Sequence, residues 1–240
     1  MGTNTRYIGH DTAWVTPQER LGGHVGYKVV SLVPRNGRIR VQPPHHPERM
    51  FELSDESRCD MGMRRHNFAE CSCGFYAYNG LDAGIAHWRE VCTGAANDML
   101  VEVVLSGSVI VAEHGYRATH QRLTRVFLPP CFSCGTRGEV LAYHASGYLV
   151  PACRNCTAGY RVLEFTDFTQ QHSPTGFAPI QLLPIVDFNV EIDQLRNGQQ
   201  QVQSGRALID QLAAAGKLSE IEQLLTYATR RLDEAVGLVG

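Results

Sequence analysis

Cys131-Phe-Ser-Cys134-Gly135 and, after an interval of eighteen residues, Cys153-Arg-Asn-Cys156 are the stretches that decide the fold. Two Cys-x-x-Cys pairs at this separation are typical of a tetrahedral zinc site, because each pair forms a tight turn whose thiolates converge on one ion. Residues 140–143 and 148–150, around Ser146-Gly147, predict a hairpin that carries the second pair to the first. We therefore expect a zinc ribbon with these ligands: Cys131, Cys134, Cys153 and Cys156.

Composition and charge limit the classes to which the chain can belong. Of its 240 residues 43% are hydrophobic, which is enough for a core, and its net charge of −2 lacks the basic surplus of a non-specific nucleic-acid binder. No run of eighteen apolar residues is present, and the first residues, Met1 to Arg6, contain no apolar segment of a secretory signal. Eight cysteines without such a signal favour metal ligation over disulfides and predict a cytoplasmic protein without membrane contact.

Strand patterns dominate residues 26–130. Residues 27–33 alternate and are rich in β-branched side chains, and Asn36-Gly37 readily adopts the positive φ angles of a tight turn before residues 38–41 return. A short helix is expected at 81–91 and three more strands at 99–105, 108–112 and 116–127. Five strands in this order predict an α+β fold built on a small antiparallel β meander or half-open barrel.

The C-terminal part has a different composition. Residues 166–188 are rich in Gln, Ser, Pro and Thr and predict a linker. From Asn189 the pattern is helical, with Gly216 as a helix stop and Ser219 with Glu222 as a capping box before an apolar stripe. We expect a helical hairpin that packs on its own chain, self-associates or docks to a partner helix. The predicted organisation is an N-terminal arm (1–25), a zinc-knuckle β domain (26–130), the zinc ribbon (131–165), a linker (166–188) and the helical hairpin (189–240).

A second group of metal-binding residue types surrounds Cys71-Ser-Cys73-Gly74. Two thiolates so close together need two further ligands to complete a tetrahedral site. Upstream, Cys59 and His66 give a compact local set; downstream, His87 and Cys92 give a second set with His87 on the short helix. The spacing does not separate these two sets, and free thiols buried in a core are the structural alternative to both.

Several short segments between residues 26 and 128 form a recognisable pattern. They are Gly26-Tyr-Lys-Val-Val30, Cys71-Ser-Cys73-Gly-Phe-Tyr-Ala77, Val103-Val-Leu-Ser-Gly-Ser-Val109 and Glu113-His-Gly-Tyr-Arg-Ala118. This pattern resembles a group of uncharacterised actinobacterial and actinophage proteins that share a CxCGxYA segment, a V-x-LWG-x-V strand and a GYRA turn. The chain departs from the group at Ser106, where the group has Trp. A Cys and a His precede CxCG in the group, so the resemblance implies Cys59 and His66 as ligands; it implies no activity.

The chain also lacks the motifs of common catalytic centres, among them HExxH, GxSxG and a phosphate-binding loop. Both predicted sites have four protein ligands, whereas a catalytic zinc keeps one position open for water. We expect a non-enzymatic protein with two structural zinc ions per chain, acting as an adaptor or regulator through protein contacts, with a phage or mobile-element origin as one option. The alternative is a nucleic-acid-binding regulatory protein.

The nucleic-acid alternative depends on the ribbon together with basic residues of the last strand before it. If residues 116–125 are a regular strand, alternation divides these side chains between two faces. The residues concerned are Arg117 and Arg125 on one face and His120 and Arg122 on the other.

Overall fold

The computed structural model of the chain describes the backbone of residues 12–13 and all of residues 23–44, 48–57, 59, 71–91 and 97–185, and in the C-terminal part residues 204–205, 207–217, 221–222 and 225–226. The chain divides into two compact units, residues 1–188 and residues 189–240. Within the described residues, no helix is both long and apolar enough to cross a membrane.

The described residues of the first unit form mostly antiparallel sheet with two α-helices. The elements are β1 Thr12–Ala13, β2 His24–Arg35, β3 Arg38–Gln42, β4 Phe51–Glu52, β5 Ser54–Glu56, β6 Phe75–Tyr78, α1 Leu81–Val91, β7 Asp98–Ala112, β8 Gly115–Leu128, β9 Val140–Tyr143, β10 Leu149–Ala152, β11 Val162–Glu164, α2 Phe165–His172 and β12 Gln181–Pro184. The predicted α+β class with an antiparallel meander and the predicted helix at 81–91 are confirmed.

Three long strands carry the sheet. β7 pairs antiparallel with β2 on one side and with β8 on the other. β6 pairs with the second edge of β8 and meets β2 where Tyr27 lies opposite Tyr78. The strands β2, β7, β8 and β6 therefore form a closed circuit, whereas the sequence pattern allowed a half-open barrel. Closure through β6 satisfies backbone groups that an open edge would leave unpaired.

Two turns show how glycine shapes the long strands. Asn36 and Gly37 have φ angles of 52° and 73°, so the predicted hairpin between β2 and β3 is confirmed. The strands predicted on either side of Gly107 are instead one strand, β7, because Gly107 (φ 76°) forms a bulge and not a turn. A Cβ atom at this position would lie 2.3 Å from side-chain atoms of Thr119 and His120, so glycine is required there.

The segment predicted as a linker is folded against the sheet. Residues 166–188 contain most of α2 and all of β12, and β12 runs parallel to β8 from Gln181 opposite Arg125 to Pro184 opposite Leu128. Phe168 and Ile180 are fully buried in the main core. A few well-placed apolar side chains and the backbone hydrogen bonds to β8 outweigh the polar composition of this segment.

The ribbon strands belong to the same sheet as the rest of the first unit. β10 joins β2 where Leu149 lies opposite Leu32, and Leu141, Leu149 and Leu163 pack in the main core. The opposite face of β9 and β10 has a small apolar cluster of its own. That cluster contains Val140, Ala142, Val150, Ala152, Cys131 and Cys153. One face of the ribbon is thus docked in the core, and the other face carries the cysteines.

The described residues of the second unit include a helix over 207–214. This helix ends at Gly216, which has a φ of 70°, and the backbone N–H groups of Gly216 and Lys217 donate to the carbonyls of Ala213 and Leu212. This is a glycine C-cap, as the sequence predicts. Most of the predicted hairpin, and most of the predicted N-terminal arm, lies outside the described residues, so both stay predictions.

Lys28 is a cationic side chain held between β2 and β8. Its ammonium donates to Oε1 of Gln121 at 3.1 Å and lies 5.9 Å from the centroid of the Phe75 ring. Gln121 and six aliphatic side chains line a small cavity beside it. Among the described residues no carboxylate lies within ion-pair distance of this ammonium. Burial lowers the pKa of Lys28 from 10.5 to about 8.

Replacing Lys28 by Met should stabilise the first unit by roughly 1–2 kcal/mol at pH 7, because it removes the desolvation of a half-buried charge. The pKa of Lys28 is lower in the folded chain than in the unfolded chain. The cost of burying its charge is therefore fully present below pH 8 and disappears as the pH rises towards 10.5. Urea unfolding should therefore show that Lys28→Met raises the free energy of unfolding over that of the wild type by less at pH 10 than at pH 7. Lys217→Met, at an exposed lysine of the second unit, is the matched control, and an equal advantage at both pH values contradicts the desolvation argument.

Candidate metal centres

The first centre consists of the four cysteines of the ribbon. The Sγ atoms of Cys131, Cys134, Cys153 and Cys156 all lie within 4.8 Å of one another, and those of Cys134 and Cys153 are 3.5 Å apart. A tetrahedral ion with Zn–S bonds of about 2.3 Å places its sulfur ligands roughly 3.8 Å apart. The structure therefore brings the four predicted ligands to a spacing at which they could hold one metal ion.

Backbone hydrogen bonds shape the two turns that aim these thiols. The N–H of Gly135 donates to the carbonyl of Cys131 at 2.9 Å, and Gly135 takes a φ of 74° that ends the first turn. In the second turn the N–H of Cys156 donates to the carbonyl of Cys153 at 3.0 Å. A further bond, from the N–H of Phe132 to the carbonyl of Pro151 at 3.0 Å, links the first turn to β10. The ligands thus lie on turns that are fixed to the sheet.

Hydrogen bonds shift the pKa values of three ribbon thiols in different directions. The hydrogen bond with Thr136 lowers the pKa of Cys134 to about 6 and also lowers the pKa of Cys153. Ser133 favours the thiolate of Cys156, but its cysteine neighbours outweigh this and raise the pKa of Cys156 to about 12. Sulfur atoms this close cannot all carry negative charge unless a cation compensates them. The site is suited to a metal ion on electrostatic as well as geometric grounds.

The second centre, the knuckle, has three cysteines among the described residues. The Sγ atoms of Cys59, Cys71 and Cys73 lie within 4.8 Å of one another, and the distance from Cys59 to Cys71 is 3.9 Å. The N–H of Cys73 donates to Sγ of Cys71 at 3.0 Å, which fixes the turn. These three residues could hold a metal ion with one further ligand.

The knuckle geometry bears on the two ligand sets that the spacing allows. Cys59 belongs to the upstream set, and the structure places its thiol with those of Cys71 and Cys73. His87 belongs to the downstream set; it lies on α1 with its ring 5.4 Å from that of Tyr78, and it is not in the thiol group found among the described residues. His66 and Cys92 lie outside the described residues.

The strands β5 and β6 lie end to end along one edge of β8. The N–H of Ser57, just after β5, donates to the carbonyl of Thr119 at 2.7 Å, and Phe75 in β6 lies opposite Ala118, the neighbouring residue of β8. Ser57 and Phe75 therefore lie at neighbouring positions along β8, although they are distant in sequence. Cys59 follows the first position and Cys71 and Cys73 precede the second, so a metal ion held by the three thiols would link these two parts of the chain.

Arg117 of β8 anchors the knuckle. Its guanidinium donates to the carbonyl of Cys71 and, at 3.4 Å, to that of Cys73, and it lies 5.9 Å from the ring centroid of Tyr76. Burial opposes ionisation of Cys71, but hydrogen bonds with Cys73 and Cys59 and the charge of Arg117 leave the pKa of Cys71 lowered. Burial, followed by the hydrogen bond with Cys71, raises the pKa of Cys73 to about 12. The sequence did not indicate this contact, although Arg117 and Tyr76 lie in the GYRA and CxCGxYA segments.

The other residues of the predicted nucleic-acid cluster also contact side chains of the same chain. Nε2 of His120 lies 3.7 Å from a carboxylate oxygen of Glu56, and Nη1 of Arg125 lies 3.2 Å from Oε2 of Glu102. The guanidinium of Arg122 lies 4.4 Å from the ring centroid of Phe177. Register shifts between β7 and β8, at Glu102/Val103 and at Ser106/Val109, interrupt the simple alternation that the sequence argument assumed.

No family model, curated protein or solved structure matches this chain. The resemblance to actinobacterial and actinophage proteins stays a prediction, and the two cysteine centres are interpreted from their own geometry.

Replacing Arg117 by Gln should weaken metal binding at the knuckle about ten-fold, because residues that orient metal ligands contribute on that scale. Release of metal to a chromogenic chelator should show two kinetic phases, one from each centre. The phase from the knuckle should become faster, and the phase from the ribbon should stay unchanged. Arg122→Gln, a few residues further along β8, is the matched control and should leave both phases unchanged. Metal release from Arg117→Gln that equals wild type in both phases contradicts an anchoring role.

Proposed function

We propose that both centres bind zinc, so that each chain holds two ions, and that both ions are structural. The observation that carries this proposal is the convergence of four thiols on two hydrogen-bonded turns of the ribbon. A set of four soft thiolate ligands suits Zn²⁺, and four protein ligands leave no position for a catalytic water. Cys131 and Cys153 are buried in the small apolar cluster of the ribbon, which supports a role in folding.

At the knuckle, our proposal takes His66 as the fourth ligand. Three positions of a tetrahedral ion are accounted for by Cys59, Cys71 and Cys73. In the sequence His66 lies between Cys59 and Cys71, so the chain tethers it on both sides to residues of the centre. The downstream set would require His87 to leave Tyr78. The upstream set is therefore the better supported of the two.

The adaptor role is the second part of the proposal. In this role the zinc-stabilised first unit carries residues 189–240, and those residues contact another protein or a second copy of the chain. Leu208 and Leu225 are 43% and 53% exposed, and none of the described residues of this second unit is buried. Apolar side chains that stay exposed on helical segments are typical of a surface that a partner covers. Zinc sites built from reduced thiols support a cytoplasmic location for such a protein.

Native mass spectrometry should detect two Zn²⁺ per chain, because each cysteine group is spaced for one ion. Cys59→Ser should remove one ion and leave the ribbon ion in place, whereas Ser72→Ala, between two ligands, should retain both. Removing zinc with a chelator should lower the melting temperature, since ligand binding and folding are coupled. A stoichiometry of one in the wild type removes the knuckle from the proposal.

Leu225→Asp should lower the mass that light scattering measures for the purified chain, or abolish capture of its protein partner from nuclease-treated lysate. The physical reason is that a carboxylate is costly to bury in an apolar helix contact. Val25→Asp, at a residue of β2 that is 44% exposed, is a matched control on the first unit and should change neither result. The adaptor role fails if Leu225→Asp and the wild type behave alike in both measurements.

A further inference from the structure

The first cysteine turn of the ribbon lies at the surface of the protein. Residues 133–137 are five consecutive exposed residues, and Cys134 is the second of them. By contrast, Cys131 and Cys153 are only 3% and 8% exposed, and Cys156 is half-buried. The four proposed ligands of the ribbon therefore differ in their access to solutes, and Cys134 is the one that a solute reaches first.

Cys134 has a second thiol within reach on the other cysteine turn. Its Sγ atom lies 3.5 Å from Sγ of Cys153. The two sulfur atoms of a disulfide are about 2.05 Å apart, so the bond requires them to approach by roughly 1.5 Å. Because Cys134 lies in the middle of an exposed turn, it can make this approach without displacing side chains of the core. The geometry therefore permits a disulfide between the two turns.

The thiols of the knuckle are less accessible than Cys134. Cys73 is buried, and Cys59 and Cys71 are half-buried with their Sγ atoms 3.9 Å apart. The susceptibility of a cysteine to oxidation follows its thiolate character and its exposure. Metal-bound cysteines are thiolates in both centres, so exposure distinguishes them. A small oxidant should therefore react with the ribbon before it reacts with the knuckle.

We propose that the ribbon is a peroxide-sensitive switch, in which hydrogen peroxide oxidises Cys134 and Cys153 to a disulfide and the ribbon releases its zinc ion. This inference rests on the proposed zinc function and adds regulation to one of its two sites. Loss of two thiolates leaves only Cys131 and Cys156 as ribbon ligands, and two ligands do not hold Zn²⁺ in a tetrahedral site. Cysteine pairs that form transient disulfides in a reducing compartment are usually redox sensors or catalysts.

The oxidation takes place in two steps. The thiolate of Cys134 attacks one oxygen of the peroxide, so that an S–O bond forms, the O–O bond breaks and hydroxide leaves; the product is a sulfenic acid. The thiolate of Cys153 then attacks this sulfur, so that the S–S bond forms, the S–O bond breaks and a second hydroxide leaves. The two sulfur atoms together lose two electrons, and the peroxide gains them.

The test exposes the full-length, reduced and zinc-loaded protein to a small excess of hydrogen peroxide, in the presence of a chromogenic chelator that reports released Zn²⁺. We expect one Zn²⁺ per chain to be released above the level seen without peroxide, and peptide mapping without reductant to find a disulfide between Cys134 and Cys153. Dithiothreitol with added Zn²⁺ should restore the lost ion, because a disulfide is a reversible product. Zinc that stays bound, or a disulfide that does not join these two residues, overturns the proposal.

Two histidine variants separate the role of the exposed thiol from that of zinc binding. Cys134→His keeps four ligands, because three cysteines and one histidine also bind Zn²⁺, but it removes the thiol that peroxide reaches first. Peroxide should release its ribbon ion about ten-fold more slowly than that of the wild type. Cys156→His, at the second cysteine of the other turn, is the matched control; it retains Cys134 and Cys153 and should release zinc at the wild-type rate.

Native mass spectrometry before the addition of peroxide establishes that each variant holds two ions. If Cys134→His does not, the disulfide mapping on the wild type decides the test. Equal release rates in Cys134→His and the wild type overturn the proposal. A wild type that holds two zinc ions both before and after peroxide loses this inference and keeps the proposed function, whereas fewer than two ions before peroxide contradicts the proposed function itself.

Discussion

The packing of thiol groups within 4.8 Å of one another in two clusters is the constraint on which this structure depends. In the ribbon, the hydrogen bond with Ser133 favours the thiolate of Cys156, but hydrogen bonds with neighbouring cysteines raise its pKa to about 12. In the knuckle, burial, followed by the hydrogen bond with Cys71, raises the pKa of Cys73 to about 12. A divalent cation held by these thiols would stabilise their ionised forms and, because the cysteines lie on turns fixed to the sheet, would couple metal binding to the surrounding structure. In the ribbon such coupling would reach the rest of the sheet, since β10 joins β2 opposite Leu32 and the inner face of the ribbon packs in the main core.

The knuckle solves a different structural problem from the ribbon. One edge of β8 is covered in succession by β6, β5 and β12, and β5 and β6 are short strands of three and four residues. Cys59 lies just after β5 and Cys71 and Cys73 lie just before β6, so a metal ion held by the three thiols would join the ends of these two strands. Arg117 connects Cys71 and Cys73 to β8 beneath them. The CxCGxYA and GYRA segments are consequently a single structural unit, because Tyr76 pairs with Arg117 and Ala77 with Tyr116.

Local patterns predicted local structure well. Cysteine spacing predicted that the four ribbon thiols come together, Asn36-Gly37 predicted a hairpin, and apolar spacing predicted α1, since each depends on residues close in sequence. The pairing of strands distant in sequence could not be predicted from such local patterns. Nothing in the composition of residues 166–188 distinguishes a linker from a strand that pairs in parallel with β8, and the glycine at 107 indicates a turn as readily as a bulge. The role of Arg117 likewise depends on a contact 46 residues away in sequence.

Counting basic residues along a strand overestimates the charge that a surface presents. β8 contributes Arg117, Arg122 and Arg125, yet their guanidinium groups contact backbone carbonyls, an aromatic ring and the carboxylate of Glu102. In the ribbon one arginine, Arg154, binds both carboxylates, and Arg137 and Arg161 are exposed. The ribbon and β8 each contain three arginines, but their side chains are engaged differently. Engagement of the side chains, and not their number, therefore determines how much charge a surface presents.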